Sequence, residues 1–351
     1  MKSSRRAVAR SWGGRAVGLL VTGVGLYVVA PSLLALLGSW PRLADVQLWW
    51  FLVLIALETC SMAALWWLAR LALTHPEQEG TDAPIAGWGT LATAQLAGNA
   101  ASKVVPGGPA AGGVVQGKLL IQKGQPPAAV ASALTAMGLL TTGVLLLLPV
   151  LTIPTLLIGP PPARQLQLGL LVSLILAVVI VGVGLSALAW TRFVVVIGRG
   201  CGYALHVVKE SVTADSAAAT LVAQRDRVAA AFEGRWWHAV FAASANRMFD
   251  FAALVAALTA FGAHARPAEV LMAYVVAQAL ALIPITPGGL GFVDAGLAAL
   301  LVLIGVSGDV ALVGTLLYRL VSFWLPIPVG ALAWAGWRVH LGVTDTGPPE
   351  G

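Results

Sequence analysis

Ionisable side chains inside long apolar stretches are the residues of this 351-residue sequence that most need a chemical explanation. Three are acids and three are bases: Glu58, Asp250, Asp294, Lys103, Arg247 and Arg319. A charge near the centre of a bilayer costs roughly 2.5 to 3.5 kcal/mol, so such groups pair with each other or face water or a ligand. Arg247 and Asp250, three residues apart, could pair along one helix, and a role in binding is the alternative.

Two Pro-Gly-Gly runs interrupt apolar stretches near their middles. They consist of Pro106, Gly107, Gly108, Pro287, Gly288 and Gly289. Proline lacks a backbone donor and glycine disfavours helix, so each run frees backbone groups at membrane depth. Such breaks must be buried in protein or line a wet cavity, and in transporters they mark binding sites.

The basic residues near these breaks suit a phosphate, because helix N-termini after a break also supply amide donors. We therefore predict that Lys103, Arg247 and Arg319 contact an anionic lipid headgroup. Asn99 is a further candidate, although hydrogen bonding between helices is the usual role of such a residue. The acids Glu58, Asp250 and Asp294 are predicted to be charge partners or proton carriers, and the sequence does not distinguish these roles.

The composition excludes an ordinary soluble enzyme. Hydrophobic residues make up 58% of the chain and charged residues only 10%, where a soluble domain carries roughly 25%. The net charge of +6 does not indicate nucleic-acid binding, because the cations flank apolar spans instead of forming one basic face. The sequence predicts an all-α polytopic membrane protein.

About six full transmembrane helices and two re-entrant hairpins are predicted. The full spans are Ala16 to Gly38, Leu48 to Leu71, Pro127 to Ile158 with a break near Pro149 and Pro154, Leu166 to Trp190, Trp236 to Gly262, and Val310 to Trp337. The broken stretches, about 88–120 and 268–305, are predicted to enter from opposite faces as inverted repeats, with half-repeats at about 88–158 and 268–338. Most of the 21 basic residues then lie on one side, which predicts a cell-membrane protein with both termini in the cytoplasm.

The segment between Thr191 and Arg235 is predicted to lie outside the membrane spans. Apolar residues recur at helical spacing between Thr191 and Arg235, which indicates amphipathic helices at the inner surface, with a solvated linker as the alternative. Residues 1–341 are expected to form a single membrane domain, and 342–351 a polar tail. The sequence carries no hydrolase, zinc-protease or nucleotide-binding motif, so we expect no enzyme activity, no cofactor and no metal.

A resemblance rests mainly on the second Pro-Gly-Gly segment. The run from Ile285 to Gly296, together with Tyr318-Arg319-Leu320 and the run from Ser322 to Pro326, resembles the lysylphosphatidylglycerol synthase transmembrane family, also called flippase-like membrane proteins. The resemblance extends from the first helix to the last. Asp294 stands where that family usually has Glu, and the first motif, Asn99 to Gly124, is less similar.

The resemblance implies a protein that moves a phospholipid or a polyprenyl-linked glycolipid between leaflets, with a membrane lipid as substrate. It also implies the translocating half without the aminoacyl-transferase domain that follows it in bifunctional members. Three alternatives stay open: a lipid-binding accessory subunit of an envelope-lipid synthesis enzyme, a lipid-modifying enzyme, and a transporter of soluble ligands. Oligomeric state is not predicted.

Overall fold

The computed structural model describes residues 46–74, 86–105, 108–152, 190–206, 213–281 and 289–340, with Gly38 and isolated positions between 171 and 186. Within these residues the secondary structure is helical and contains no strand. The predicted spans at 16–38 and 166–190 lie almost wholly outside them. So do the polar tail and four residues of the breaks, Pro106, Gly107, Pro287 and Gly288.

The described helices are numbered in chain order. They are α1 (Leu48–Leu73), α2 (Trp88–Val104), α3 (Pro109–Gln122), α4 (Pro127–Leu147), α5 (Thr191–His206), α6 (Ala214–Ala230), α7 (Trp236–Ala260), α8 (Pro267–Leu280), α9 (Phe292–Leu303), α10 (Gly308–Arg319) and α11 (Pro326–His340). A 3-10 turn, Leu148–Thr152, follows α4, and a π turn, Leu320–Trp324, joins α10 to α11.

Four helical segments of the described chain are long and apolar enough to cross a bilayer. They are Leu48–Leu73, Pro127–Leu151, Trp236–Ala260 and Gly308–Val339. Each coincides with a predicted span to within a few residues, apart from the C-terminal end of the second. There the α-helix ends at Leu147 and Pro149 lies in the 3-10 turn, as the sequence predicts. The chain is therefore an all-α polytopic membrane protein.

Helices α1 and α7 pack antiparallel and define the two faces of the molecule. At the middle of the pair, Ser61 Oγ donates to Asn246 O at 3.1 Å, and Asn246 Nδ2 donates to Ser61 Oγ at 2.7 Å. At one end, Arg235 Nη1 donates to Thr74 Oγ1 at 2.8 Å. We call the face where α1 ends and α7 begins the first face, and the opposite one the second face.

The first broken stretch forms a helical hairpin. Helices α2 and α3 run antiparallel, with Gln116 Nε2 donating to Gln95 Oε1 at 2.7 Å. Gly98 and Gly112 let the helices approach so closely that a Cβ added to Gly112 would lie 2.5 Å from the Gly98 carbonyl oxygen. At 17 and 14 residues these helices measure about 26 and 21 Å, less than the roughly 30 Å of hydrocarbon. The turn between them uses Gly108 at a positive φ of 52°.

The second broken stretch also bends back on itself. Helices α8 and α9 have 14 and 12 residues, about 21 and 18 Å, and a Cβ on Gly296 would sit 3.5 Å from Leu280. Gly289, at φ 73°, lies beneath Val293, whose Cγ2 atom would be only 2.6 Å from an added Cβ. Both the backbone conformation and the close approach therefore require glycine at position 289.

The two hairpins open towards opposite faces. The Arg70 guanidinium lies 4.6 Å from the centroid of the Trp88 ring at the start of α2, and Lys123 Nζ lies 4.9 Å from the Trp337 ring at the end of α3. These contacts place the open end of the α2–α3 hairpin at the first face. The open end of the α8–α9 hairpin lies at the second face, where residues 262–266 and 304–307 line one pocket beside the end of α7.

Apolar packing is concentrated near each open end. One buried cluster joins the α8–α9 hairpin to α7 and α10, and a second joins the α2–α3 hairpin to the end of α1 and the start of α7. Such packing holds helices together where lipid offers no hydrophobic driving force between them. The polar residues of the hairpins lie between these clusters.

Helices α5 and α6 fill the segment predicted to be amphipathic. They pack on each other through Gly198, where an added Cβ would lie 2.5 Å from Ala218 Cα. Helix α6 begins with a capping box, in which Thr213 Oγ1 accepts a bond from the Ser216 amide. Val196 and Tyr203 of α5 are each 70% exposed. The location of this pair at the inner surface stays a prediction.

Candidate functional site

A cavity of about 430 Å³ that contains several charged side chains lies between the two hairpins and is lined by residues from α1, α2, α3, α4, α7, α8 and α10. It contains all four residues predicted to contact a headgroup and two of the three acids: Lys103, Arg247, Arg319, Asn99, Glu58 and Asp250. The structure thus brings together residues that are up to 261 positions apart in the numbering, from Glu58 to Arg319. The third acid, Asp294, adjoins the cavity through Arg319.

Asp250 of α7 is held by three side-chain donors. Tyr274 Oη and Gln278 Nε2 of α8 donate to its Oδ2 atom at 2.6 and 2.9 Å, and Tyr318 Oη of α10 donates to Oδ1 at 2.8 Å. These bonds satisfy an ionised carboxylate and join three helices at one point. The local ion pair with Arg247 is not formed, because Asp250 turns towards α8 and α10 instead.

Arg247 contacts the opposite side of the cavity. Its Nε atom donates to the Thr141 carbonyl oxygen of α4 at 3.3 Å. A guanidinium has five N–H donors in a planar fork, and among the described residues Arg247 uses one of them. Its remaining donors are available to a ligand in the cavity, where a planar fork suits a phosphate or carboxylate.

Lys103 lies at the tip of the α2–α3 hairpin and contacts the π turn. Its Nζ atom donates to the Ser322 carbonyl oxygen at 2.6 Å and lies 5.3 Å from the centroid of the Phe323 ring. A π turn interrupts the regular i to i−4 pattern and leaves a carbonyl oxygen able to accept such a bond. Lys103 therefore links the first hairpin to the last span while its other donors face the cavity.

Arg319 and Asp294 form an ion pair, with 2.5 Å between Arg319 Nε and Asp294 Oδ1. Both side chains are largely buried, at 11% and 16% exposure. Asp294 Oδ2 also accepts a bond from the Gly291 amide at 3.1 Å, which caps the start of α9. The pair therefore fixes α9 to α10, and Arg319 keeps only part of its donor set for a ligand.

Glu58 of α1 differs from the other two acids in its surroundings. Its side chain is only 7% exposed, and its Oε1 atom accepts no hydrogen bond from any residue that the structure describes. Asp250 and Lys103 are its close electrostatic neighbours. Asn99 lies nearby on α2, where its Nδ2 atom makes a weak contact with Met62 Sδ at 3.5 Å.

Some site residues escaped the sequence analysis. Tyr274 contacts Asp250 although no motif marks it, and the π turn that receives Lys103 has no obvious local signature. The spacing of Tyr274 and Gln278, four residues apart on one helical face, is the signal that could have indicated a shared acceptor. In the described part of the chain, no group of three or more His, Cys, Asp and Glu residues is placed to hold a metal ion.

Comparison with known proteins assigns the family. A family model described as the lysylphosphatidylglycerol synthase TM region matches residues 15–330. The chain belongs to this family. Two curated proteins of similar sequence are UPF0104 membrane proteins. The present chain is 36% identical over 64 residues to the protein from Pyrococcus horikoshii. It is 35% identical over 75 residues to the protein from Methanothermobacter thermautotrophicus.

These two alignments are short. They span 18% and 21% of the present chain and 19% and 22% of the relatives, about a fifth of each length. The match to the lysylphosphatidylglycerol synthase TM-region family, by contrast, includes every residue that lines the cavity. Family membership and the four spans together establish a membrane protein.

Proposed function

We propose that this protein is a lipid translocase that passes an anionic headgroup between leaflets through the cavity. The observation that carries the proposal is the position of that cavity, between two hairpins that open to opposite faces of an otherwise apolar protein. Each helix of the two hairpins is shorter than the roughly 30 Å of hydrocarbon, which supports hairpins that turn back inside the bilayer with the cavity between them. A headgroup there would have a polar environment while its acyl chains stayed in lipid.

The volume of the cavity suits a headgroup and not a whole lipid. Small-molecule sites typically measure about 300 to 1,000 Å³, and this one measures about 430 Å³. A phosphate diester with a small alcohol fits such a space. A phospholipid is therefore favoured as substrate over a lipid that carries a bulky glycan.

The charges favour an anionic ligand with Lys103 and Arg247 as its direct contacts. Both donate to backbone carbonyl oxygens, and among the described residues neither is bonded to a carboxylate. Arg319 is paired with Asp294, and we assign it mainly to holding α9 against α10. Asn99 is proposed to contribute an amide to the same headgroup. Charge-assisted hydrogen bonds of this kind are about twice as strong as neutral ones.

The family supports a lipid substrate, since its description refers to the synthesis of a phospholipid. We propose a plasma-membrane location with the first face towards the cytoplasm, because the basic segment from Thr191 to Arg235 joins that face. An envelope-lipid synthesis enzyme is the partner that such a translocase would serve. We propose no enzyme activity for this chain.

Reconstitution tests the proposal directly. Purified protein is placed in vesicles that contain phosphatidylglycerol labelled with a fluorophore, and an impermeant reductant reports label that reaches the outer leaflet. We expect Lys103→Ala and Arg247→Ala to slow the movement roughly tenfold or more, since each removes a charged hydrogen-bond donor. The matched control is Arg199→Ala, which removes an exposed cation paired with Asp215 far from the cavity.

Each negative outcome identifies an alternative. Vesicles without label movement, from protein that still copurifies with lipid and a synthase, would establish an accessory subunit. New lipid species made by the purified protein would establish an enzyme. Equal loss of movement in the Arg199 variant would show that the assay reports general damage instead of the cavity.

A further inference from the structure

Among the described residues, Glu58 is the one acid of the membrane interior with a buried carboxylate oxygen that has neither a hydrogen-bond donor nor a cation in contact with it. Asp250 has three side-chain donors, and Asp294 has the Arg319 guanidinium and the Gly291 amide. Glu58 Oε1 has no such partner, although the side chain is 93% buried and lines the cavity. An ionised carboxylate in this state would lose its hydration without replacement, which is costly.

The neighbouring carboxylate offers an alternative to ionisation. Asp250 and Glu58 are adjacent, and two ionised carboxylates in close contact repel each other. The two Asp250 oxygens can accept about four hydrogen bonds in all, and the three described donors leave one acceptor position free. A proton on Glu58 would supply an O–H donor for that position and would remove the repulsion.

A proton on Glu58 changes the net charge of the group of charged and titratable residues that surrounds it. Lys103 faces it from α2, Arg247 and Asp250 from α7, and Tyr318 and Arg319 from α10. With Glu58 ionised, the charges of the three cations and the three acids inside the membrane sum to zero. With Glu58 protonated, these residues carry one excess positive charge, beside the donors that we assign to the headgroup. In a medium of low dielectric constant one charge changes anion affinity strongly.

We propose that Glu58 is a proton-binding site coupled to the headgroup site, so that one proton and one lipid phosphate diester bind together. The inference rests on the proposed function and adds co-transport of a proton to it. When the headgroup enters, a hydronium ion from the open end transfers its proton to Glu58, forming an O–H bond and leaving water. When the headgroup leaves, the O–H bond breaks and the proton returns to water. No oxidation or reduction is involved.

Coupling of this kind is reciprocal. If protonation strengthens headgroup binding, then headgroup binding must strengthen proton binding by the same factor. A phosphate diester keeps its single negative charge across the pH range of interest, so any proton taken up belongs to the protein. Proton uptake on binding is therefore a direct readout that does not depend on translocation.

Titration calorimetry tests the inference with purified protein in detergent and short-chain phosphatidylglycerol as the probe. Measurements in two buffers of different ionisation enthalpy give the number of protons bound per lipid. We expect about one proton for the wild type, and an affinity that weakens as the pH rises, by up to tenfold per pH unit. Glu58→Gln is expected to take up none and to bind with an affinity independent of pH.

The matched control is Glu269→Gln, which changes the same residue type in an ion pair with Arg266 at the second face, outside the cavity. It should retain wild-type proton uptake. If the Glu58→Gln protein does not elute as a folded species, the pH dependence of wild-type affinity alone decides the matter. Binding by the wild type without proton uptake, or uptake retained by Glu58→Gln, overturns the inference.

The two proposals fail separately. Lipid movement in vesicles without proton uptake on binding would leave the translocase intact and refute the role of Glu58. Proton uptake that depends on Glu58, in a protein that moves no lipid, would support the coupled site and refute the translocase.

Discussion

At the scale of single residues, the three acids of the membrane interior have three different surroundings. Asp250 accepts three hydrogen bonds from tyrosines and a glutamine, Asp294 pairs with an arginine, and Glu58 keeps an unfilled oxygen. Counting charges in the sequence treats these acids as equivalent. The hydrogen-bond partners distinguish them: Asp250 and Asp294 hold helices together, whereas Glu58 is the acid that we propose to change its protonation when a ligand binds.

Tyr274→Phe should destabilise the protein by about 1.5 to 3 kcal/mol, because it removes a donor to the buried Asp250 carboxylate. The melting temperature in detergent measures this change. Tyr203→Phe is the control, since the Tyr203 side chain is 70% exposed on α5 and should leave the melting temperature as it was. Equal melting temperatures for Tyr274→Phe and wild type would contradict the role of Asp250 as a junction between helices.

Arg319→Ala should cost about 3 to 5 kcal/mol of stability, because it leaves Asp294 buried without its cation. Replacing both partners, as Arg319→Met with Asp294→Leu, should restore much of that loss, since no buried charge is then left alone. Chemical denaturation in mixed micelles compares the single and double variants. A double variant less stable than Arg319→Ala would show that Arg319 is not there to satisfy Asp294.

At the scale of elements, close contacts between helices depend on glycines at particular positions. Gly330 of α11 packs against α2 so tightly that an added Cβ would lie 2.3 Å from the Leu96 carbonyl oxygen and 2.6 Å from Ala100 Cβ. Gly98 and Gly112 allow a similar approach between α2 and α3. Helix α2 is therefore packed closely between α3 and α11, which holds Lys103 in place at the tip of its hairpin.

Gly330→Ala should lower stability by about 1 to 3 kcal/mol and weaken lipid movement, because the last span must shift away from α2. Thermal unfolding and the vesicle assay measure the two effects. Gly336→Ala in the same helix is the control, since nothing lies within 4 Å of an added Cβ there and alanine favours helix. Equal effects of both substitutions would show that helix propensity and not the α2 contact is responsible.

At the scale of the whole molecule, the opposed hairpins make a topology that labelling can test. Cysteines placed at Lys123 and at Ser307 should react with an impermeant reagent from opposite sides of oriented vesicles, because these positions lie at the open ends of different hairpins. We expect the Lys123 position to react from the cytoplasmic side. Reaction of both positions from one side would show that one of the two stretches crosses the bilayer completely.

The large features of this fold follow from the sequence because they depend on local composition. The span at Leu48–Leu73 follows from a long apolar run, and the hairpin turn at Gly108 follows from a Pro-Gly-Gly run that cannot continue a helix. The contacts of Asp250 could not be predicted in this way. Its choice of Tyr274 and Tyr318 over Arg247 depends on how three helices meet, and spacing within one helix carries no information about that.

The π turn has a geometric consequence for the last span. A turn of this kind contains one residue more than a regular turn, which rotates all that follows by about 100° about the helix axis. With that rotation, Gly330 faces α2 and the Trp337 ring lies beneath the Lys123 ammonium group. Loss of a single residue between Leu320 and Trp324 would turn a bulkier side of α11 towards the hairpin. This five-residue segment should therefore tolerate no change in length.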